Sequence, residues 1–392
     1  MDLNLGIEYE AFREEVAAFL AESWRPRTPG GDRLRQERAF RTLATQRGYL
    51  YRRYPRRYGG GEQPDDALKE QIIREELAKA GAPGEINSGG SKLLAPTLLS
   101  WGQDWQKERF LRAALHGEEI WCQGYSEPGA GSDLASIRTR AELDGDAWVI
   151  NGQKIWTSNA AQADFMFALV RTEPDAPKHR GISYILLDMR AEGVTVRPLR
   201  QMTGESEFNE VFLDNVRTPA DWIVGERGQG WQVSRTTLSF ERAAVNPPPF
   251  IDALLQRLKD VARRRTRDGR PLIECTDIQQ RIAEIEGYAM AHRYSVMRQV
   301  SMDSVGQDPG AAALCNKLVG TDIGQMIARL SQEMIGEEGL LMPAPGTSRE
   351  NMDDVFWVMR SSSVAIAGGT SNIQRNIIAE RALDLPREGK PA

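Results

Sequence analysis

The chain has 392 residues, 41% hydrophobic and 27% charged, which is ordinary globular composition and enough for about two or three domains. Its 50 basic and 55 acidic side chains leave a net charge of −5, so no basic field points to nucleic acid. No apolar run reaches the roughly 18 residues of a membrane-spanning helix, and the acidic stretch MDLNLGIEYEAFREEVAAFL is unlike a secretory leader; the chain reads as cytoplasmic, with no membrane partner.

Residues 1–118 read as an N-terminal α-helical domain. Glu8–Ser23 places Phe12, Val16, Phe19 and Leu20 on one stripe, and Ala67–Ala80 repeats the pattern with Gly81 as a stop. Tyr58–Gly61 between them is a turn. Residues 119–228 change character. AWVING (147–152), DFMFALVRT (164–172), ISYILLDM (182–189), VTVRPL (194–199) and NEVFLDNV (209–216) are short β-branched and aromatic runs cut by Gly, Pro, Asp and Asn. They predict a central β-barrel or sandwich domain. Over 229–392 helix returns in Ser234–Val245, Phe250–Arg265, Thr276–Val305, Ala311–Ile335 and Asn372–Ala382, the elements of a C-terminal four-helix-bundle domain. The expected fold class is α+β and multi-domain.

Cysteine and histidine are sparse. Cys122, Cys275 and Cys315 are odd in number and far apart, and His116, His179 and His292 have no partner at metal-ligand spacing. Neither a metal site nor a Cys–His nucleophile is expected. Four other segments carry chemistry. In WCQGYSEPGAGSD (121–133), Gly129 and Gly131 let the backbone approach a ligand closely, and Ser132 and Asp133 offer short polar groups; an ordinary β-turn explains the same letters. In NGQKIWTSN (151–159), Asn151-Gly152 fits a type I′ hairpin turn between Val149–Ile150 and Ile155–Trp156. Trp156 with two hydroxyl residues after it suits a flat aromatic cofactor, or a Trp buried in the β domain.

Glu241, in TTLSFER (236–242), has Leu238 and Ala244 at i−3 and i+3. A semi-apolar face of this kind makes a general base, unless Glu241 simply pairs with Arg242 in solvent. Gly368-Gly369-Thr370-Ser371 opens a capped helix whose free N–H groups suit an anion or a carbonyl oxygen. Asn246-Pro-Pro-Pro-Phe250 ends the Glu241 helix.

Taken in order, these segments resemble the acyl-CoA dehydrogenase family. The similarity runs from FREEVAAFLAE to IQRNIIAERAL and is densest in WCQGYSEPGAGSDLAS, NGQKIWTSNA, HRGISYILLDM, FNEVFLDNV and GERGQGW. The chain looks most like bacterial members acting on bulky acyl-CoA esters, steroid side chains among them. The resemblance implies an FAD enzyme with the flavin between the β domain and the helical bundle. Tyr125 and Ser126 would meet the pyrimidine side, Trp156 would flank the ring, and Ser158 would reach N5. Gly131 and Ser132 would lie near the phosphates or the pantetheine arm, with Thr370 and Asn372 on the cofactor and Arg242 beside the substrate. A glutamate would remove the α-proton of the thioester while the β-hydride passes to the flavin, and the electrons would leave to an electron-transfer flavoprotein.

The departures from the family pattern are informative. The Tyr-Glu-Gly-Thr motif that carries the base in many members aligns with Ala367-Gly368-Gly369-Thr370. Gly368 has no carboxylate, and only its N–H remains as an oxyanion donor. Other members hold the base where this chain has Glu241, which is therefore the expected base. The Arg-x-x-Phe-Gly motif that holds FAD across a subunit interface reads Arg265-Thr-Arg-Asp268-Gly269, and Gln-x-x-Gly-Gly reads Glu333-Met-Ile-Gly336-Glu337. Arg265 and Gly336 remain candidates for the cofactor, but acids near a pyrophosphate are unfavourable. Pairing with a second, different subunit in a heterotetramer would supply what is altered; a homodimer or homotetramer is the alternative. A flavin oxidase or monooxygenase, an acyl-carrier-protein-linked dehydrogenase, and a weakly active subunit of a mixed oligomer are also compatible with the residues.

Overall fold

The computed structural model describes residues 6–25, 32–303, 305–337 and 354–386; the first five residues of the acidic N-terminal stretch lie outside these. The chain divides into two compact units, Met1–Leu199 with Glu207–Leu238, and Arg200–Ser206 with Ser239–Ala392.

The first unit opens with helices α1 (Ile7–Ser23), α2 (Arg33–Gln46), α3 (Ala67–Ala80), α4 (Ala95–Trp101) and α5 (Asp104–His116). Asp66 caps α3 by accepting from the Lys69 N–H at 3.0 Å, and Gly81 ends it at φ 60°. Val16, Phe19 and Leu20 of α1 are buried as the stripe requires. Arg13 ties α1 to α3 through Glu75 and Glu76, both at 2.8 Å.

The sheet comes next: β1 (Trp121–Gly124), β2 (Arg140–Asp144), β3 (Ala147–Ser158), β4 (Phe165–Arg171), β5 (Ile182–Asp188), β6 (Val194–Pro198), β7 (Phe208–Pro219) and β8 (Ile223–Val224). Its order is β6-β7-β3-β2-β4-β5-β8, with β1 parallel to β4. The central strands β4 and β5 are buried on both faces, which explains their unbroken apolar runs. Phe167, Leu169 and Tyr184 face the core shared with α4 and α5, whereas Met166, Ala168, Val170, Ile185 and Leu187 join Trp148, Ile150, Val211 and Leu213 in a second core. Strands β3 and β7 therefore share an interior with β4 and β5, as in a curled sheet.

One expected turn lies elsewhere. The β2–β3 hairpin closes at Gly145–Asp146, since Asp144 pairs with Ala147, with Gly145 at φ 65°. Asn151-Gly152 sits in mid-strand instead. There the β3–β7 register shifts between Ile150 and Gly152, the signature of a bulge. The Asn215 N–H donates to Asn151 Oδ1 at 2.9 Å. A Cβ on Gly152 would stand 2.5 Å from Thr139 Oγ1, so glycine is required by close packing.

Helix α6 (Gly230–Ala244) runs out of the first unit into the second, which continues with α7 (Pro248–Arg264), a small hairpin of β9 (Thr266–Arg267) and β10 (Arg270–Pro271), α8 (Thr276–Asp303), α9 (Ala311–Ile335), α10 (Asp354–Ile366) and α11 (Ser371–Ala382). Ile251, Leu258 and Val261 of α7, Ile282 and Ile285 of α8, and Ile323, Ile327 and Leu330 of α9 form the core of this helical bundle. The proline run both ends and begins a helix: α6 stops at Ala244, and Pro248 and Pro249 occupy the first turn of α7, where a missing N–H costs nothing. Among the described residues no helix is long and apolar enough to cross a membrane.

Candidate active site

In the first unit, β1 delivers Tyr125 and Ser126 directly after its last residue. The next four residues close a tight turn, with Glu127 N–H donating to Ala130 O and Ala130 N–H to Glu127 O, both at 3.0 Å. The segment is thus a β-turn, yet the turn leaves Gly129 and Gly131 unexplained from within. Neither has a positive φ, and a Cβ on either would meet nothing within 4 Å. The absence of side chains there leaves open space along the backbone beside exposed Ser132.

Beneath the turn lies a buried ion pair. Lys154 is 0% exposed and donates to Glu127 Oε1 at 2.8 Å and to Leu169 O at 2.6 Å. Burial draws its ammonium down to about 8. Glu127 also accepts from the N–H groups of Arg138 (2.6 Å) and Thr139 (2.9 Å). Burial alone would raise its carboxyl, but Lys154 and these donors hold it below the ordinary range. The pair fixes β3 against the loop after β1.

Trp156 is 59% exposed, so it is not the buried Trp that composition allowed. Its φ is 60°, a conformation that costs a bulky residue on the order of 1–3 kcal/mol. A second register shift, between Lys154 and Thr157, accommodates it, and the Ile155 N–H donates to Ser126 O at 2.9 Å. The bulge thereby joins Ser126, Trp156 and half-buried Ser158 in one strip. Phe208 meets the Trp156 ring edge-on at 6.1 Å. The Thr157 side chain, between Trp156 and Ser158, turns inward, 0% exposed, and its hydroxyl is buried with no partner among the described residues. The projecting Trp156 indole and the open glycine backbone at Gly129 and Gly131 fit a flat, polyoxygenated cofactor such as FAD.

Sequence reasoning missed the cations next to Ser132. The loop between β4 and β5 carries Lys178, His179 and Arg180, all exposed. Lys178 donates to Asp133 Oδ2 at 3.0 Å and to Ser136 Oγ at 2.6 Å. The run of three basic residues just before an apolar strand was the available signal.

In the second unit, Glu241 is half-buried near the C-terminal end of α6; the side chain of Ala244 lies outside the described residues. Asn246 then turns the chain at φ 47°. Its Nδ2 donates to Gly320 O on α9 at 3.0 Å, and Cβ atoms on Gly320 and Gly324 would stand 2.8 Å from Asn246 O and 2.9 Å from its Nδ2. The two glycines make a groove that seats Asn246 and fixes where α6 ends. His292, also buried, faces the same carbonyl; burial lowers it from the ordinary 6.5 against the pull of Asn246 and Asp252.

The Gly368 turn meets Glu241 here. Gly368 has φ 66°, and a Cβ on it would stand 3.3 Å from Val245 Cγ2 and 3.8 Å from Glu241 Oε1. Thr370 caps α11, accepting from the Ile373 N–H at 3.3 Å, and Asn372 Oδ1 accepts from Arg375 at 3.2 Å. Arg242 is half-buried beside Glu241 in sequence. Arg265 and Gly336 are not brought to this place. They end α7 and α9, and Gly336 lies 16 positions beyond Gly320, about 24 Å along the helix at roughly 1.5 Å per residue. Near that end Arg281 pairs with Glu333 at 2.9 Å, and Asp268 occupies the β9–β10 turn at φ 53°. Among the described residues no cluster could hold a metal ion.

The order of a helical, a β and a second helical segment recurs in known proteins. Family models described as the N-terminal, middle and C-terminal domains of acyl-CoA dehydrogenase match residues 7–118, 122–216 and 228–383. A Mycobacterium tuberculosis protein named acyl-CoA dehydrogenase IpdE1 is 38% identical over 98% of this chain and 99% of its own length. The ChsE4–ChsE5 complex of Mycobacterium tuberculosis superposes with a TM-score of 0.76 at 32% identity, covering 99% of this chain and 100% of that one. A structure described as the Tcur3481–Tcur3483 steroid ACAD gives 0.77 at 28% identity, over 99% and 100%.

Proposed function

This chain belongs to the acyl-CoA dehydrogenase family of flavoproteins, and we propose that it dehydrogenates the α,β-bond of a bulky acyl-CoA with Glu241 as the base. The observation that carries this is the 3.8 Å from Glu241 Oε1 to the place a Gly368 side chain would occupy. A carboxylate from α6 thus serves the same locality as one from the turn before α11, and the chain keeps one of the two.

The Glu241 carboxylate takes the α-proton, and the Gly368 N–H, held in a left-handed turn, donates to the thioester carbonyl and makes that proton acidic. FAD, when bound, would supply the acceptor for the β-hydride. Tyr125, Ser126, Trp156 and Ser158 would hold its ring, with Gly131, Thr370 and Asn372 in the cofactor set. Ser132 with Lys178 would meet phosphates, and Arg242 would border the acyl chain. The steroid assignment of a structural relative supports a ring-bearing acyl group.

A specific observation also favours a partner. The residues expected to serve FAD across an interface include Asp268 and Glu333, and Glu333 is engaged by Arg281. Two relatives are named as two-protein complexes. A second, different subunit supplying those contacts, and an electron-transfer flavoprotein as acceptor, complete the proposal. The test is the flavin-to-protein ratio of the chain purified alone, followed by anaerobic acyl-CoA titration. Low flavin that rises on adding the second subunit, and bleaching by substrate, are expected. One FAD per chain without a partner rejects the heteromeric reading, and flavin that no acyl-CoA bleaches rejects the dehydrogenase.

A further inference from the structure

Lys317, in the second turn of α9, is 2% exposed. A buried ammonium is costly unless its protons are taken. Among the described residues its one hydrogen bond is to the carbonyl of Ala365, at 3.1 Å. That carbonyl lies in the last turn of α10, where helical acceptors lack helical donors and a cation meets the negative end of the helix dipole. Three residues further on is Gly368. From the other side Gln374, 1% exposed, donates from Nε2 to Gly368 O at 3.0 Å. A Cβ on Gly369 would stand 2.6 Å from that nitrogen, so the second glycine makes room for the grip. Two buried polar side chains therefore hold the turn, one at Ala365 before Gly368 and one at the Gly368 carbonyl itself. The field of Glu241, with that of Asp322, opposes the effect of burial on the Lys317 ammonium.

We propose that Lys317 is a positioning residue that, with Gln374, clamps the turn presenting the Gly368 N–H opposite Glu241. The inference rests on the dehydrogenase reading, in which that N–H polarises the thioester carbonyl. An apolar side chain of equal length would fill the space at lower desolvation cost, but it would leave the Ala365 carbonyl unanchored. A small drift of a preorganised donor is expensive in rate and cheap in ground-state binding.

The test uses the full chain with any subunit it needs for flavin, as wild type, Lys317→Met, Lys317→Arg and Gln374→Leu. Two readouts are taken: steady-state turnover of an acyl-CoA that the wild type oxidises, and amide hydrogen exchange across residues 361–370. Lys317→Met should lower kcat about a hundredfold, with KM within about threefold, and should speed exchange in that segment. Lys317→Arg should restore slow exchange and bring kcat within about tenfold of wild type, because it keeps a cationic donor. Gln374→Leu should repeat the split between kcat and KM. Unchanged kcat and exchange in Lys317→Met, or a Lys317→Arg no better than Lys317→Met, would overturn the proposal. If Lys317→Met does not fold, the Arg and Leu variants decide it alone. A wild type that oxidises no acyl-CoA counts against the parent reading, and exchange then decides the clamp.

Discussion

In the proposed mechanism the chemistry at Glu241 and Gly368 comes down to one missing side chain. A residue with φ 66° favours glycine, and an alanine there costs about 1–2 kcal/mol in a left-handed backbone. Replacing Glu241 with Gln keeps the shape and removes the proposed proton acceptor. Dehydrogenation should fall by about a thousandfold, within the span of general-base effects, with flavin content unchanged. Anaerobic reduction and visible absorbance separate the two. Adding Gly368→Glu to that variant should recover part of the activity, since its side chain starts 3.8 Å from the old carboxylate. In the wild-type background the same change places two carboxylates together and should lower activity. Glu241 was singled out in the sequence because the turn before α11 lacks the acid that the family resemblance implies there, which leaves α6 as the other place for a base; its own window fits a solvated pair with Arg242 as well. Lys317 was not legible: in sequence it is one lysine in a long helix, and its burial and its hold on Ala365 exist only after α9 and α10 pack.

At the level of elements, α6 is aimed by the Asn246 turn at its C-terminal end. Asn246→Ala removes a buried hydrogen bond to Gly320 O and should cost about 1–3 kcal/mol. Gly320→Ala pushes a Cβ to 2.8 Å from the Asn246 carbonyl and should cost a similar about 1–3 kcal/mol by overpacking. Both should slow dehydrogenation, because Glu241 rides on the helix they seat; denaturant melts with anaerobic kinetics would show it. In the β domain the analogous support is Lys154. Lys154→Met strands the Glu127 carboxylate in the interior and should cost about 3–5 kcal/mol, and Lys154→Met with Glu127→Gln should recover most of it. Failure of the double variant to improve on the single one, in thermal melts, would show that packing and not charge dominates.

For the whole molecule, His292 and Glu127 are two buried groups through which acid lowers stability. His292 is held below its ordinary 6.5, so the folded state binds fewer protons there; its contribution is full above 6.5 and is lost as pH falls through the lowered value. Glu127 is held below 4.5, so its contribution is full above 4.5 and is lost as pH falls through its lowered value. The unfolding free energy of the wild type should therefore begin to decline below about pH 6.5 and steepen below about 4.5. His292→Gln should flatten the first part of the decline and leave the second, as denaturation midpoints across pH would reveal.

The order helical, β, helical was determined by local pattern alone, because a period of 3.6 or 2 is written in neighbouring residues and survives any packing. For the same reason Ala67–Ala80 and Ala311–Ile335 were legible to the residue, with Gly81 marking the end of the first. Recognition of the family motifs likewise needed only their order. The tertiary structure decided what depends on distant chain. Asn151-Gly152 has the letters of a hairpin turn, but pairing with β2 and β7 made it a bulge and moved the turn to Gly145. Trp156 became an exposed platform because a register shift lifted it out of the strand. The nearness of Glu241 to Gly368, 127 positions apart in the numbering, is a property of α9 and the turn packed around it; no short window of sequence contains it.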